Sequence, residues 1–256
     1  MSSSPKNAML AEHRNIPYVA AGVTNPLQEF DLYVPERRNT LDTRPPPLIC
    51  FVHGGAWRSE DKAEHAGLAR RLAAHTNFPV AVSNYRLTTA STPIRHPAHA
   101  EDLLAFLHFL LTWSGPHTST PTPPYDPTRL YLIGHSCSAH MLTSIFLQPL
   151  DPASDSASRS PTPSRSPSPP PSPVPTPDSL IPSPALLAAT RAVIMSEGIY
   201  DIDGLLVTYP AYKTWFIAPT FGRLRSYAPW NTASYRSRPG AEHLNWLILH
   251  SKGIPW

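Results

Sequence analysis

Cysteine is nearly missing from this chain. Its two cysteines, Cys50 inside an apolar run and Cys137 beside a serine, exclude a disulfide framework and leave no thiolate cluster for structural zinc. A reducing, cytoplasmic setting is the expectation. Long apolar runs are missing too: no window approaches the ~20 residues of a membrane span, and Met1 to Asn15 lacks the apolar core of a secretory signal. The formal net charge is only +3 and the basic residues are scattered. No basic stripe with interleaved aromatics forms, so neither nucleic acid nor membrane is an expected partner. Histidine is plentiful, but H-E-x-x-H is absent. The nearest approach, His96-Pro97-Ala98-His99, carries a proline that breaks helical spacing, so no metal is expected.

Proline, by contrast, is abundant, and many of the 33 gather after Leu150. From about 149 to 184 the chain is mostly Pro, Ser and Thr, a composition that buries too little surface to offset its ordering entropy. A disordered insert is expected there, interrupting one domain that runs over 1–256. Its Ser-Pro and Thr-Pro pairs from Ser160 to Pro177 suit proline-directed kinases or a proline-binding domain; an unselected loop is the simpler reading.

Outside the insert, strand and helix patterns alternate. Gln28 to Val34 alternates polar and apolar residues; Leu48 to Val52 is apolar throughout, as in a parallel strand buried on both faces. Glu60 to Thr76 has helical spacing, Val80 to Tyr85 is β-rich, and His99 to Trp113 is helical again. Leu130 to Ile133 is a short strand, followed by a helix from Ser138 to Leu147. Ala192 to Met195 and Trp246 to His250 supply two more strands. The alternation predicts an α/β fold: a mostly parallel sheet with helices on both faces.

Ser136 lies at a strand-to-helix junction, within Gly134-His135-Ser136-Cys137-Ser138. A serine hydroxyl needs a sharp, exposed turn to act as a nucleophile, and small flanking residues permit one. The pattern is G-x-S-x-G with serine in the last place. An ordinary turn with Ser136 as helix cap fits the same residues. His53-Gly54-Gly55, at the end of an earlier strand, has the glycine-rich character of an esterase oxyanion loop. Gly54 and Gly55 let backbone N–H groups face a substrate oxygen, and the Cys137 N–H completes the oxyanion hole.

With these motifs the chain resembles the fungal-type kynurenine formamidases of the α/β-hydrolase superfamily. The shared segments are the HGGXW motif His53-Gly54-Gly55-Ala56-Trp57, Asn84-Tyr85-Arg86-Leu87, His96-Pro97 to His99 with Asp102, and Gly134 to His140. Gly198-Ile199-Tyr200-Asp201, Tyr209-Pro210-Ala211-Tyr212 and Leu249-His250-Ser251 continue them. The resemblance implies an α/β-hydrolase fold and hydrolysis of N-formyl-L-kynurenine to L-kynurenine and formate, a step of tryptophan breakdown towards NAD. It implies Ser136 as nucleophile, no cofactor, and a homodimer as candidate assembly.

The same resemblance places a triad acid shortly after the strand Trp246 to His250, followed by a histidine. Lys252 to Trp256 holds no carboxylate, so the triad Asp and His are not identified in this chain. The expectation is a product truncated at its C-terminus, lacking the last strand and helix and losing most turnover. Glu197 or Asp201 as acid, and His243 or His250 as base, are substitutes to test against geometry; His140 reads as a packed helix residue. A carboxylesterase of the hormone-sensitive-lipase-like group and a catalytically silent binding protein are the alternatives.

Overall fold

The computed structural model describes residues 10–19, 25–36, 44–116, 123–149 and 178–251. Strand β3 (Leu48–Val52) is buried along its whole length. Its side chains alternate between two cores, as the pleat requires. Leu48, Cys50 and Val52 enter the larger core, while Ile49 and Phe51 enter a smaller one with Ala66, Ala69 and Ala73. Those alanines belong to helix α1 (Ala66–Thr76). On the opposite face lie α2 (Ala98–Thr112) and α3 (Cys137–Phe146). The all-apolar strand is therefore a strand covered twice.

The main sheet has seven strands in the order β1-β2-β4-β3-β5-β7-β9. Its members are β1 (Leu10–Pro17), β2 (Glu29–Pro35), β3, β4 (Val80–Ser83), β5 (Leu130–His135), β7 (Thr190–Ser196) and β9 (Asn245–Leu249). The pairs β1–β2 and β2–β4 are antiparallel, and the remaining pairs are parallel. A two-stranded ribbon joins β6 (Leu147–Gln148) to β8 (Arg236–Ser237). Short helices α4 (Pro184–Ala189), α5 (Ile202–Thr208) and α6 (Ala218–Phe221) fill the C-terminal half. In a parallel sheet the strand C-termini share one edge, so the chain after β3, β5, β7 and β9 converges there.

Three departures from the sequence-based expectations have physical causes. Strand β1 is too polar to show a clear pattern because only one side of this edge strand meets the protein; Arg14 pairs with buried Asp31 at 2.7 Å. The helix expected from Glu60 begins as a 3-10 turn, Lys62–His65, whose first amides are capped by Asp61 (2.8 Å to Ala63 N). Of the expected strand Val80 to Tyr85, only Val80–Ser83 pairs, because Asn84 and Tyr85 are drawn off by contacts to other loops.

Most of the segment expected as an insert, 149–184, lies outside the described residues, including the Ser-Pro pairs from Ser160 to Pro177. Its end does not match that expectation. Asp178–Leu180 forms a 3-10 turn with Leu180 buried, and Ser183 caps α4 through Leu186 N at 3.2 Å. Apolar Leu180, Leu186 and Leu187 supply the burial that a Pro/Ser tract lacks. At the far edge of the sheet, Leu247, Ile248 and Leu249 of β9 are about half exposed. Among the described residues, no helix is long and apolar enough to cross a membrane.

Leu132 sits fully buried in the middle of the central strand β5. Leu132→Ala is expected to cost about 2–5 kcal/mol of stability, measurable by urea unfolding.

Candidate active site

Register sets the site. His135 of β5 pairs with Ser196 of β7, and Ser196 pairs with Leu249 of β9. Ser136, Glu197 and His250 are thus the next residues on three neighbouring parallel strands. Ser136 has φ 57° and ψ −118°, a sharp turn between β5 and α3, and its side chain makes no capping hydrogen bond to the helix. The hydroxyl is therefore not spent as a cap. Its N–H donates to Ser196 O at 2.8 Å, which anchors the turn to β7.

Ser138 holds the turn from below. Its buried Oγ accepts the His135 N–H at 2.7 Å and donates to Val52 O at 2.8 Å, joining the ends of β5 and β3. Serine in the last place of G-x-S-x-G thus contributes a tether as well as a small volume.

The loop after β3 is wound tightly, with Gly55, Ala56 and Trp57 all left-handed at φ 84°, 53° and 59°. Such a run is sparsely populated for side-chain-bearing residues and must be held by its surroundings. Tyr85 does much of this: its hydroxyl donates to Gly54 O at 2.5 Å, and its ring stacks on His53 at 4.5 Å. The Trp57 N–H reaches Cys137 Sγ at 3.3 Å. Tyr85 is fixed in turn by its neighbours. Arg86 makes a two-toothed pair with buried Asp102 (2.7 Å each), while Asn84 accepts the Lys62 N–H at 2.6 Å. The N-Y-R-L segment is a clamp on the glycine loop.

Gly54 passes so near the turn that a Cβ there would lie 2.8 Å from His135 Nδ1 and 3.2 Å from Ser136 Cβ. The Cys137 N–H, first in α3, belongs to the helix amides that lack intrahelical acceptors. The three candidate oxyanion donors, Gly54, Gly55 and Cys137, thus border Ser136.

A cleft of about 470 Å³ opens over Ser136. Gly55 and Ala56 border it on the loop side, Glu60 and Glu197 bring carboxylates, and Tyr209, Tyr212, Trp215 and Phe216 form an aromatic wall. Tyr209 and Tyr212 stack with ring centres 5.0 Å apart, and Tyr212 meets Phe216 at 5.1 Å. Burial pushes the Cys137 thiol up to about 11, which keeps it protonated and leaves Ser136 as the candidate nucleophile. Burial also lowers His53 to about 4, so it packs as a neutral ring behind the loop.

Of the substitute acids and bases, only Glu197 and His250 are brought together. Glu197 lines the cleft; it accepts the Ser251 N–H at 2.7 Å and meets His250 Nδ1 at 3.0 Å. Burial acts upward on Glu197, but the Ser251 hydrogen bonds and the nearby His250 and His135 hold it below the usual carboxylate range. His250 borders a neighbouring cavity of about 430 Å³ that shares Ile199 and Leu205 with the cleft. Asp201 borders that second cavity too and caps α5 through Gly204 N at 2.9 Å. His243 faces Leu187 O and Thr190 O at the opposite end of β7, roughly 20 Å along the strand from Ser196.

The remaining histidines are packed. His140 is buried, with Nε2 2.9 Å from Trp230 O. His99 bonds Thr88 Oγ1 at 2.9 Å, and His96 lies against His140, Phe221 and Trp230. Among the described residues, no group of three or more His, Cys, Asp or Glu is placed to hold a metal ion. Glu60, Trp215 and Phe216 had gone unsuspected. The two aromatics lie in an aromatic-rich stretch after Tyr212, but nothing in the sequence marked Glu60, which enters the cleft through a left-handed turn (φ 72°).

Residues 30–148 match the family described as BD-FAE. A probable isoprenylcysteine alpha-carbonyl methylesterase of Oryza sativa subsp. japonica is 32% identical over 123 residues, 48% of this chain and 26% of that protein. A kynurenine formamidase of Meyerozyma guilliermondii is 25% identical over 184 residues, 70% of this chain and 53% of that one. The chain thus spans about a quarter to about half the length of these relatives. Esterase B from Lactobacillus rhamnosis has a similar fold, with a TM-score of 0.61 over 96% of this chain and 75% of that one at 14% identity. The fold is of the α/β-hydrolase type. Kynurenine formamidases of Meyerozyma guilliermondii and Eremothecium gossypii are both among the relatives to which the chain is similar, each at 25% identity.

Gly54→Ala is expected to push the loop off Ser136 and slow fluorophosphonate labelling of that serine about 100-fold or more, with little change in melting temperature. A second expectation concerns acid. His53 and His140 are both lowered to about 4 by burial, so between pH ~6.5 and 4 the unfolded chain binds more protons than the folded one. Stability from these rings is complete above pH ~6.5 and is lost as pH falls towards 4, on the order of 3 kcal/mol for each. Melting temperatures measured from pH 7 to 4 should decline through this window.

Proposed function

We propose that this site hydrolyses N-formyl-L-kynurenine to L-kynurenine and formate, a step in tryptophan breakdown towards NAD. Ser136 Oγ attacks the formyl carbon, and the resulting oxyanion is met by the N–H groups of Gly54, Gly55 and Cys137. Collapse breaks the C–N bond, the aryl amine leaves with a proton, and water then releases formate from Ser136. The supporting observation is the shape of the cleft: tight between glycine loop and serine, where a formyl group is small enough to enter, and aromatic-walled beyond, where an aryl amine stacks.

The triad Asp and His remain unassigned. Among the described residues His135 is the one histidine that lines the cleft, and Glu197 is held by its neighbours. Loss of the base in a serine protease lowers turnover about a millionfold, so the rate depends on the residue that serves as base.

Two further readings have support. A carboxylesterase is favoured by the rice methylesterase relative and the esterase B fold. A silent binding protein is favoured by the unassigned base. Hydrolysis of N-formylkynurenine and of p-nitrophenyl acetate, followed side by side, separates them. The formamidase reading expects kcat/KM at least about tenfold higher for the formamide, and loss of both activities in Ser136→Ala. A reversed preference supports the esterase, and binding with no turnover at all supports the silent protein.

A further inference from the structure

Two neighbouring strands of the sheet end in the same uncommon backbone state. Ser136 after β5 has φ 57° and Glu197 after β7 has φ 51°, a region that residues with side chains enter only where their surroundings hold them. The turn at Ser136 presents a hydroxyl to the cleft, and the turn at Glu197 brings a carboxylate to the same cleft. His135 links the two. It immediately precedes Ser136, it pairs in register with Ser196 just before Glu197, and its side chain lines the cleft with both.

His135 is placed to take a proton from the serine. Its Nδ1 and the Ser136 Cβ both lie within 3.2 Å of the point that a Gly54 Cβ would occupy, which puts this ring nitrogen beside the serine turn. The His135 N–H is bonded to Ser138 Oγ at 2.7 Å, whereas among the described residues no hydrogen bond holds its ring. Glu197 feels the charge of His135 and is itself fixed by the Ser251 N–H at 2.7 Å and His250 Nδ1 at 3.0 Å. His250 borders the second cavity, and the strand that carries Glu197 separates its own from that of Ser136.

From these placements we infer that His135 is the general base for Ser136 and that Glu197 is a positioning residue, which orients the His135 ring and favours its protonated form. The inference rests on Ser136 as the nucleophile of the proposed reaction. His135 takes the hydroxyl proton as Ser136 Oγ bonds to the formyl carbon, and gives it to the aryl nitrogen as the C–N bond breaks. It then takes a proton from the attacking water and returns it to Oγ as formic acid departs and ionises. The titratable groups around His135 are Glu60 with its partner His65, Glu197 with His250, Tyr209 and Tyr212 of the aromatic wall, and His53 behind the glycine loop.

Fluorophosphonate labelling of Ser136 in the full chain, followed by mass spectrometry from pH ~5 to ~9, tests this whatever the natural substrate, because the reagent needs the serine proton removed and loses only fluoride. Labelling of the native chain is expected to rise with pH along one limb. His135→Gln should slow it about 100-fold or more, abolish the limb, and regain rate when imidazole is added. Glu197→Gln should keep the limb but move it about one unit to lower pH, since the lost carboxylate no longer favours the imidazolium. Labelling of His135→Gln within about threefold of native, or with the limb intact, would overturn the inference. So would an unmoved limb in Glu197→Gln. Should His135→Gln fail to fold by circular dichroism, His135→Asn and the Glu197→Gln limb decide. A native chain that labels with this His135 dependence yet leaves N-formylkynurenine intact sinks the formamidase reading while the base assignment stands; a native chain that does not label sinks both.

Discussion

The site depends on one buried hydroxyl. Ser138 ties β5 to β3 by bonding His135 N and Val52 O, and so fixes the distance between the serine turn and the glycine loop. Further contacts that shape the surroundings of Ser136 act across that junction. The Trp57–Cys137 contact crosses it, and Gly54 nearly touches Ser136 on its far side. A buried hydroxyl is costly to leave unpaired, so the same group that fits the small volume of the turn also enforces its geometry.

Around this junction the protein stores strain and restrains it. Three consecutive left-handed residues, Gly55 to Trp57, would relax in an isolated peptide. They are held by contacts from well-packed elements: Tyr85 from the segment after β4, Cys137 from α3, and Trp57's own buried ring against Phe221 at 5.1 Å. The charged anchors lie one layer further out, where the Arg86–Asp102 pair joins the Tyr85 segment to α2. Polar contacts nearest the loop are thus mostly neutral, and the ionic ones brace them from behind.

Much of this was legible in the sequence because the central elements obey simple periodicities. Leu48 to Val52 and Leu130 to Ile133 are apolar on both faces because both faces are covered, and the two glycine motifs mark the ends of those strands. Strand β1 was not legible, since its inward contacts include the Arg14–Asp31 ion pair and only Leu10 and Ile16 reach a core. The beginning of α4 was hidden for a different reason: a few leucines at the end of a proline-rich tract suffice to bury it. In the site, the glycine loop and Ser136 could be read from local motifs. Glu60 could not, because its place in the cleft comes from the path of a turn, and Glu197 could be weighed only as one of two acids, with Asp201, until the β5–β7 register placed it.

The bridge between Ser138 and Val52 spans 86 residues of chain. During synthesis the glycine loop is therefore made long before the serine it serves, and must wait, unclamped, while β4, α2 and β5 emerge. At translation speeds of about 5–20 residues per second this is a delay of several seconds. Until residues 137 and 138 have been made, the loop lacks the restraints that Cys137 and Ser138 supply.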